Sequence, residues 1–161
     1  ENGWFDKRWI YEESMRMPLI AHWPEGIEAG SVNKDLVQNL DLAPTILELA
    51  DAEIPSRMQG KSMVPLLNGE RPSDWRDTVY YHYYEGPPRV HQVAKHYGVR
   101  TDRYTLVHYP NHDEWELFDL ETDPEQIQSV YGEPEYADIQ QELKNRIDEL
   151  QEQYEDDTWD E

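Results

Sequence analysis

No cysteine occurs among the 161 residues, so the chain can build no disulfide, zinc thiolate or thiol nucleophile, and its redox compartment cannot be read. Basic residues are scarce: 14 Lys and Arg stand against 35 Asp and Glu, a formal charge of −21. That balance repels nucleic acid and anionic membrane and leaves no basic patch to compensate, which argues against a partner of either kind. The carboxylate surplus favours solubility and suits saline surroundings as well as an ordinary acidic protein. No apolar run approaches the roughly 20 residues that span a bilayer. The first residues carry no basic, apolar and small-residue secretion pattern. Glu1-Asn2-Gly3, with no initiator Met, reads as the opening of an internal fragment.

What is present suffices for one core, since 37% of the residues are hydrophobic and 12% aromatic. Met17-Pro18-Leu19-Ile20-Ala21-His22-Trp23, bounded by Pro24 and Gly26, predicts a short buried strand. Asp41 is placed to cap a helix with Leu42, Ile46, Leu47 and Leu49 on one face and Pro44 in its first turn. Ser62 can cap a short helix over Met63–Leu67, closed by Asn68-Gly69. From Thr78 the character changes. Val79–Tyr84, His96–Thr101, Tyr104–Tyr109 and Trp115–Leu120 are strand candidates. The turn signals between them, Gly86-Pro87-Pro88, Asp102-Arg103 and Pro110-Asn111-His112-Asp113, predict a small antiparallel sheet. Pro134 then opens a long helix in which Tyr136, Ile139, Leu143, Ile147, Leu150 and Tyr154 recur every three or four residues, and the acidic tail from Glu155 is expected to fray. The loop Glu70–Asp77 is the natural division, giving 1–77 and 78–161.

Among residues able to carry chemistry, Lys7 stands out as a cation in Phe5-Asp6-Lys7-Arg8-Trp9-Ile10-Tyr11, just upstream of apolar sequence. Taken alone it is an ordinary surface lysine, because lysine is seldom buried without a partner. Asp6 or Glu12 can orient it, and Trp9 either lines a pocket beside it or fills the core. His22 and His108 lie in apolar runs and are expected to pack, whereas His82, His91 and His112 fall on loops or strand edges. Arg16 and Arg100 are expected to pair with a carboxylate such as Glu12 or Glu13. Arg89 and His91 lie where an exposed loop or a binding loop is expected.

Several blocks, in order, resemble the type I sulfatases. Gly3–Arg8 followed by Tyr11-Glu12-Glu13-Ser14-Met15-Arg16-Met17-Pro18-Leu19 is similar to the family segment bearing its sulfate-binding lysine. Asp41–Ala50 resembles the next helix, and Gln59-Gly60-Lys61-Ser62 with Pro65-Leu66-Leu67 the segment after it. His96–Tyr104, and Glu116–Leu120 with Thr122-Asp123-Pro124-Glu125, resemble the C-terminal sheet. The likeness is greatest to members acting on sulfated sugars, including the iduronate and glucosamine sulfatases. It implies an α/β fold, α+β within this chain: the C-terminal part of an alkaline-phosphatase-like sulfatase, with a small antiparallel sheet packed on a long C-terminal helix.

Hydrolysing a sulfate ester requires cations and donors around the sulfuryl oxygens, a nucleophile at sulfur and an acid for the leaving oxygen. By the resemblance, Lys7 is the catalytic residue that reaches the sulfate. His96 is the substrate-binding candidate, opening a segment that can approach the sugar; the alternative is a satisfied strand histidine. The resemblance also implies a calcium ion and a formylglycine made from Cys or Ser in C/S-x-P-x-R, with nucleophile and metal ligands outside this chain. Glu53-Ile54-Pro55-Ser56-Arg57 copies that spacing, but a glutamate cannot become an aldehyde. Glu1-Asn2-Gly3 resembles the family's Glu-His-Gly turn, with Asn2 in place of histidine, and no calcium is assigned to it. The implied partners are the N-terminal part of the same sulfatase and a sulfated sugar; the implied location is exported, whether periplasmic, extracellular or lysosomal. Two other readings stand: a binding module that stacks Tyr80, Tyr81, Tyr83, Tyr84 and Tyr97 on sugars or a protein, and a phosphatase or phosphonate hydrolase of the same superfamily.

Overall fold

The computed structural model describes residues 7–86 and 93–157. The motif residues Gly3–Asp6, the Glu1-Asn2-Gly3 turn, Pro87, Pro88, Arg89, His91 and the last four residues of the tail therefore lie outside the described residues. The rest forms two compact units, one comprising the residues up to Pro18 and from Tyr80 onward, the other Leu19–Val79. The sequence division at 77/78 falls beside the second boundary. The N-terminal segment, however, groups with the sheet, because Ile10 has no accessible surface and packs against Val107 and Tyr109.

Four strands, β1 (Thr78–Tyr83), β2 (His96–Thr101), β3 (Tyr104–Tyr109) and β4 (Glu114–Asp119), form an antiparallel sheet in the order β1-β2-β3-β4. Val99 pairs with Leu106, and Leu106 in turn with Leu117. Because side chains alternate along a strand, this register sends Tyr97, Val99, Leu106 and Leu117 to one face. There they meet Leu143, Ile147 and Leu150 of α4 (Ala137–Gln153) in the main core. The long helix thus lays its apolar stripe on the sheet as its periodicity predicts. A short 3-10 turn over Pro134–Tyr136 precedes it.

The opposite face of the sheet is covered by the N-terminal segment. Ile10, Val107 and Tyr109 are buried there with Trp9, Met15, Tyr81 and Ala94 against them, and the single turn α1 (Glu12–Met15) follows. Gly98 makes the approach feasible: a Cβ at that position would stand 3.1 Å from Ile10 Cδ1 and 2.1 Å from the Leu106 carbonyl oxygen.

The second unit differs from expectation in two ways. Met17–Trp23 forms no strand; Ile20 is 90% exposed and Leu19 is exposed beside it. A strand needs a neighbour for its backbone groups, and among the described residues this run has none. In α2 (Leu42–Leu49) the face bearing Leu42, Ile46 and Leu49 points outward, with Ile46 65% exposed, while Pro44 and Thr45 are buried. Asp41 does not cap α2. Its carboxylate accepts from the backbone N–H groups of Gln38 and Lys61, each at 2.8 Å, and holds Arg76 in a two-pronged ion pair. Thr45 Oγ1 donates to the Asp41 carbonyl at 2.6 Å and accepts from Met63 N–H at 2.8 Å, joining α2 to α3 (Val64–Leu67). Helix α3 begins one residue later than predicted, with Met63 rather than Ser62 at the cap position and no side-chain cap, although Ser62 Oγ accepts from Val64 N–H at 3.2 Å. Met63, Leu66 and Trp75 form the small core of this unit.

Candidate functional site

The site is built around the segment that follows Lys7, in the sheet unit. Lys7 is exposed at the start of the described residues. One residue on, the Arg8 carbonyl accepts a 2.7 Å bond from the Tyr81 hydroxyl of β1. The Trp9 indole then lies nearly parallel to the His96 imidazole, centroids 5.2 Å apart and planes at 18°. Tyr11 donates to Glu116 Oε2 at 2.7 Å, and Tyr109 donates to the same oxygen at 3.0 Å. Burial, with the Glu116 charge adding to it, raises both phenols well above the ordinary tyrosine range, so they stay neutral donors. Glu12 receives the Arg100 guanidinium on both oxygens, at 2.9 and 3.3 Å, and its own N–H donates to Gln126 at 2.7 Å. The expected Arg100 pairing is thus present, and the lysine segment is tied to every strand of the sheet.

His96, the substrate-side candidate, has no accessible surface in this arrangement. Tyr83 stacks on it at 5.5 Å and 26°, with Tyr81 and Tyr109 tilted against it at 5.6 and 5.5 Å. Its Nδ1 bonds the Ala94 carbonyl at 2.9 Å, whereas Nε2 is buried with no well-formed hydrogen bond. Burial lowers its pKa below the ordinary 6.5; the nearby carbonyls of Ala94 and Arg8 favour the cation but are outweighed. In this arrangement the imidazole presents no surface to a ligand. Lys7 lies two residues before Trp9, whose indole stacks on His96.

The other histidines divide differently from expectation. His22 is exposed rather than packed, because among the described residues its run has no sheet to join. His108 stacks on Trp115 at 4.0 Å and bonds the Tyr97 hydroxyl at 2.8 Å, and burial lowers its pKa. His82 stands on edge strand β1, yet its ring is enclosed and bonds Asp156 Oδ2 at 2.6 Å. Tyr80 and Tyr84 donate to that same oxygen at 2.8 and 3.3 Å. Sequence reasoning missed this cluster; the alternation Tyr80, His82, Tyr84 was the signal that the three share a face. The same alternation divides the proposed tyrosine platform, sending Tyr81 and Tyr83 to the face opposite Tyr80, Tyr84 and Tyr97, and among these only Tyr84 counts as exposed.

Among the described residues, no group of three or more His, Cys, Asp or Glu is arranged to hold a metal ion, so these residues do not fit a calcium site. Among the same residues no helix is long and apolar enough to cross a membrane.

Comparison with known proteins agrees with this architecture. Residues 1–153 match the family model described as N-sulphoglucosamine sulphohydrolase, C-terminal, and the chain belongs to that sulfatase family. It is 48% identical to an N-acetylglucosamine-6-O-sulfatase of Bacteroides thetaiotaomicron over 164 aligned positions, covering 100% of this chain and 29% of that protein. A solved structure of a protein in complex with its substrate D-glucosamine-2-N,6-O-disulfate superposes with a TM-score of 0.91 at 47% identity, over 96% of this chain and 32% of that one. A phosphonate monoester hydrolase from Silicibacter pomeroyi follows at 0.70 and 27%, over 83% and 28%. The chain thus carries the C-terminal part of the alkaline-phosphatase-like sulfatase fold and spans about three-tenths of the length of these relatives.

Proposed function

We propose that this chain is the C-terminal part of an enzyme that hydrolyses sulfate esters of sugars, of the glucosamine 6-O-sulfate class, and that Lys7 binds the sulfate. The observation that carries the reading is the anchoring of the lysine segment. Tyr81 of β1, Arg100 of β2 and Glu116 of β4 bond residues 8–12, and the Tyr109 hydroxyl of β3 lies 3.0 Å from that of Tyr11, while Lys7 itself stays exposed at the segment's end. An ammonium presented from a fixed backbone can pair with the non-bridging oxygens of a tetrahedral sulfate, and the pairing strengthens once a surrounding cleft excludes water. His96 belongs under that segment rather than against the sugar.

The partner that completes the cleft is the upstream part of the same sulfatase. The exposed apolar residues Leu19, Ile20, Leu42, Ile46 and Leu49 support this, because a stable surface seldom leaves so much apolar area open unless another element covers it. The formylglycine nucleophile and the calcium ion belong to that part; when bound, the ion supplies positive charge at the sulfate. Alone, this chain is inert. An exported location goes with the substrate class.

The test is steady-state hydrolysis of glucosamine 6-sulfate by the full-length enzyme and its Lys7→Ala variant. A loss on the order of 10²- to 10³-fold in kcat/KM is expected, the scale for removing one preorganised donor to developing charge. Unchanged turnover in the variant would remove Lys7 from the site. The structural likeness to a phosphonate monoester hydrolase supports a second reading, hydrolysis of phosphate or phosphonate esters. Assay of both ester types decides between them, and a preference for phosphorus would overturn the sulfatase assignment.

A further inference from the structure

The backbone that carries Lys7 is located by residues from far along the chain. Ile10 packs into the space left by Gly98, the Arg8 carbonyl is held by Tyr81, and the Trp9 ring rests on His96. His96 is the aromatic part of this support. Tyr83 stacks on the same ring as Trp9 does, so the flat imidazole is packed among aromatic planes, while its Nδ1–H satisfies the Ala94 carbonyl. An imidazole with no accessible surface, stacked on the residue two positions after the catalytic candidate, does nothing to substrate by touch. What it can do is set the height and angle of the indole, and through two peptide units the place of the lysine.

We infer that His96 is a positioning residue for Lys7, acting through its stack with Trp9. The inference rests on the sulfate-binding role proposed above for Lys7. It assigns the imidazole a mechanical function that depends on a flat ring and not on its nitrogens. Misplacing a catalytic group by about 1 Å can cost on the order of 10²-fold in rate, so the support beneath Lys7 is felt in kinetics as well as in stability.

The experiment is a double-mutant cycle in the full-length enzyme, with glucosamine 6-sulfate as substrate and the melting temperature measured alongside. His96→Ala is expected to lower kcat/KM by on the order of 10²-fold, and His96→Phe, which keeps a flat ring, to recover most of that loss. In a Lys7→Ala background His96→Ala should add almost nothing, because a positioning residue loses its effect when the group it positions is gone. Full additivity in the cycle overturns the inference. So does a His96→Phe enzyme as impaired as His96→Ala at an equal melting temperature, since the nitrogens would then be needed. Full activity of Lys7→Ala alone instead sinks the sulfate-binding reading, and that outcome is distinct from an additive cycle with an impaired Lys7→Ala. Should His96→Ala fail to fold, Tyr81→Phe removes only the hydroxyl that holds the Arg8 carbonyl. Its expected loss is roughly two- to tenfold, present with Lys7 and absent without it; an equal loss in both backgrounds refutes the positioning role.

Discussion

The sheet unit and the Leu19–Val79 unit handle apolar residues in opposite ways. In the first, α4 covers one face and the N-terminal segment the other, so Ile10, Val99, Leu106, Val107 and Leu117 have no accessible surface. In the second, the core is the small cluster of Met63, Leu66 and Trp75, while Leu19, Ile20, Val32, Leu42, Ile46, Leu49 and Ile54 remain exposed. Polar anchoring fills part of the gap. The buried Asp41–Arg76 pair, with two backbone donors on the same carboxylate, holds α2 and its neighbours where apolar burial is thin. One unit is closed on both sides; the other has a closed side and an open one.

The sharpest way to break that contrast is to remove its polar pin. Asp41→Ala leaves the Arg76 guanidinium and two N–H groups without their acceptor, and about 3–5 kcal/mol of local stability should be lost. Hydrogen exchange should register the loss in Leu19–Val79 while β2 and β3 keep their protection. A comparable loss of protection in the sheet would show that the two units are not separately held.

Gly98→Ala probes the closed unit. The new methyl would stand 2.1 Å from the Leu106 carbonyl oxygen, which is backbone and cannot yield. Overpacking of this kind costs about 1–3 kcal/mol, and in urea unfolding an unchanged midpoint would mean that β2 and β3 are less tightly apposed than they stand here.

Acid should loosen the same unit. His96 and His108 both have pKa values lowered by burial, so the unfolded chain takes up protons near the ordinary 6.5 that the folded chain refuses. Stability therefore falls as pH drops from 7 towards 5. Asp119, held below its ordinary 3.8 chiefly by its bond to Arg103, acts only in a more acidic window. Melting temperature against pH checks the slope, which His96→Phe should flatten in part and leave the His108 share.

The smallest effect on folding is expected at the open side. Ile46→Lys changes an exposed position and should alter this chain's own stability by no more than about 0.5 kcal/mol. The same change should weaken association with the upstream part of the enzyme, measured by co-purification of the two pieces. Normal association would free the α2 face from any covering role.

The sheet was the most legible part of the sequence. Asp102-Arg103 separates two runs of six, and the strands His96–Thr101 and Tyr104–Tyr109 stand as their alternation and turn predict. The helix stripe through Leu143, Ile147 and Leu150 was readable for the same reason, that a local period reports one covered face. Met17–Trp23 misled because an apolar run records only that burial is wanted, not whether a neighbouring strand is at hand. Asp41 misled because a capping pattern is judged from the next few residues, while its partner Arg76 lies 35 positions away. Of the candidate site, Lys7 was visible through its surrounding motif. The enclosure of His96 was not, since Trp9, Tyr83 and Tyr109 come from three separate stretches.

By itself the sequence determined the elements set by near-neighbour chemistry: four strands, the turns between the last three of them, the long helix, and a lysine within a recognisable run. Tertiary structure alone decided which face each residue meets, that the lysine's segment lies on the sheet, and that His96 is sealed beneath Trp9. The reason is physical. Periodicity and turn propensity act over a few residues, whereas burial and ion pairing are settled by whatever distant part of the chain arrives to share the space.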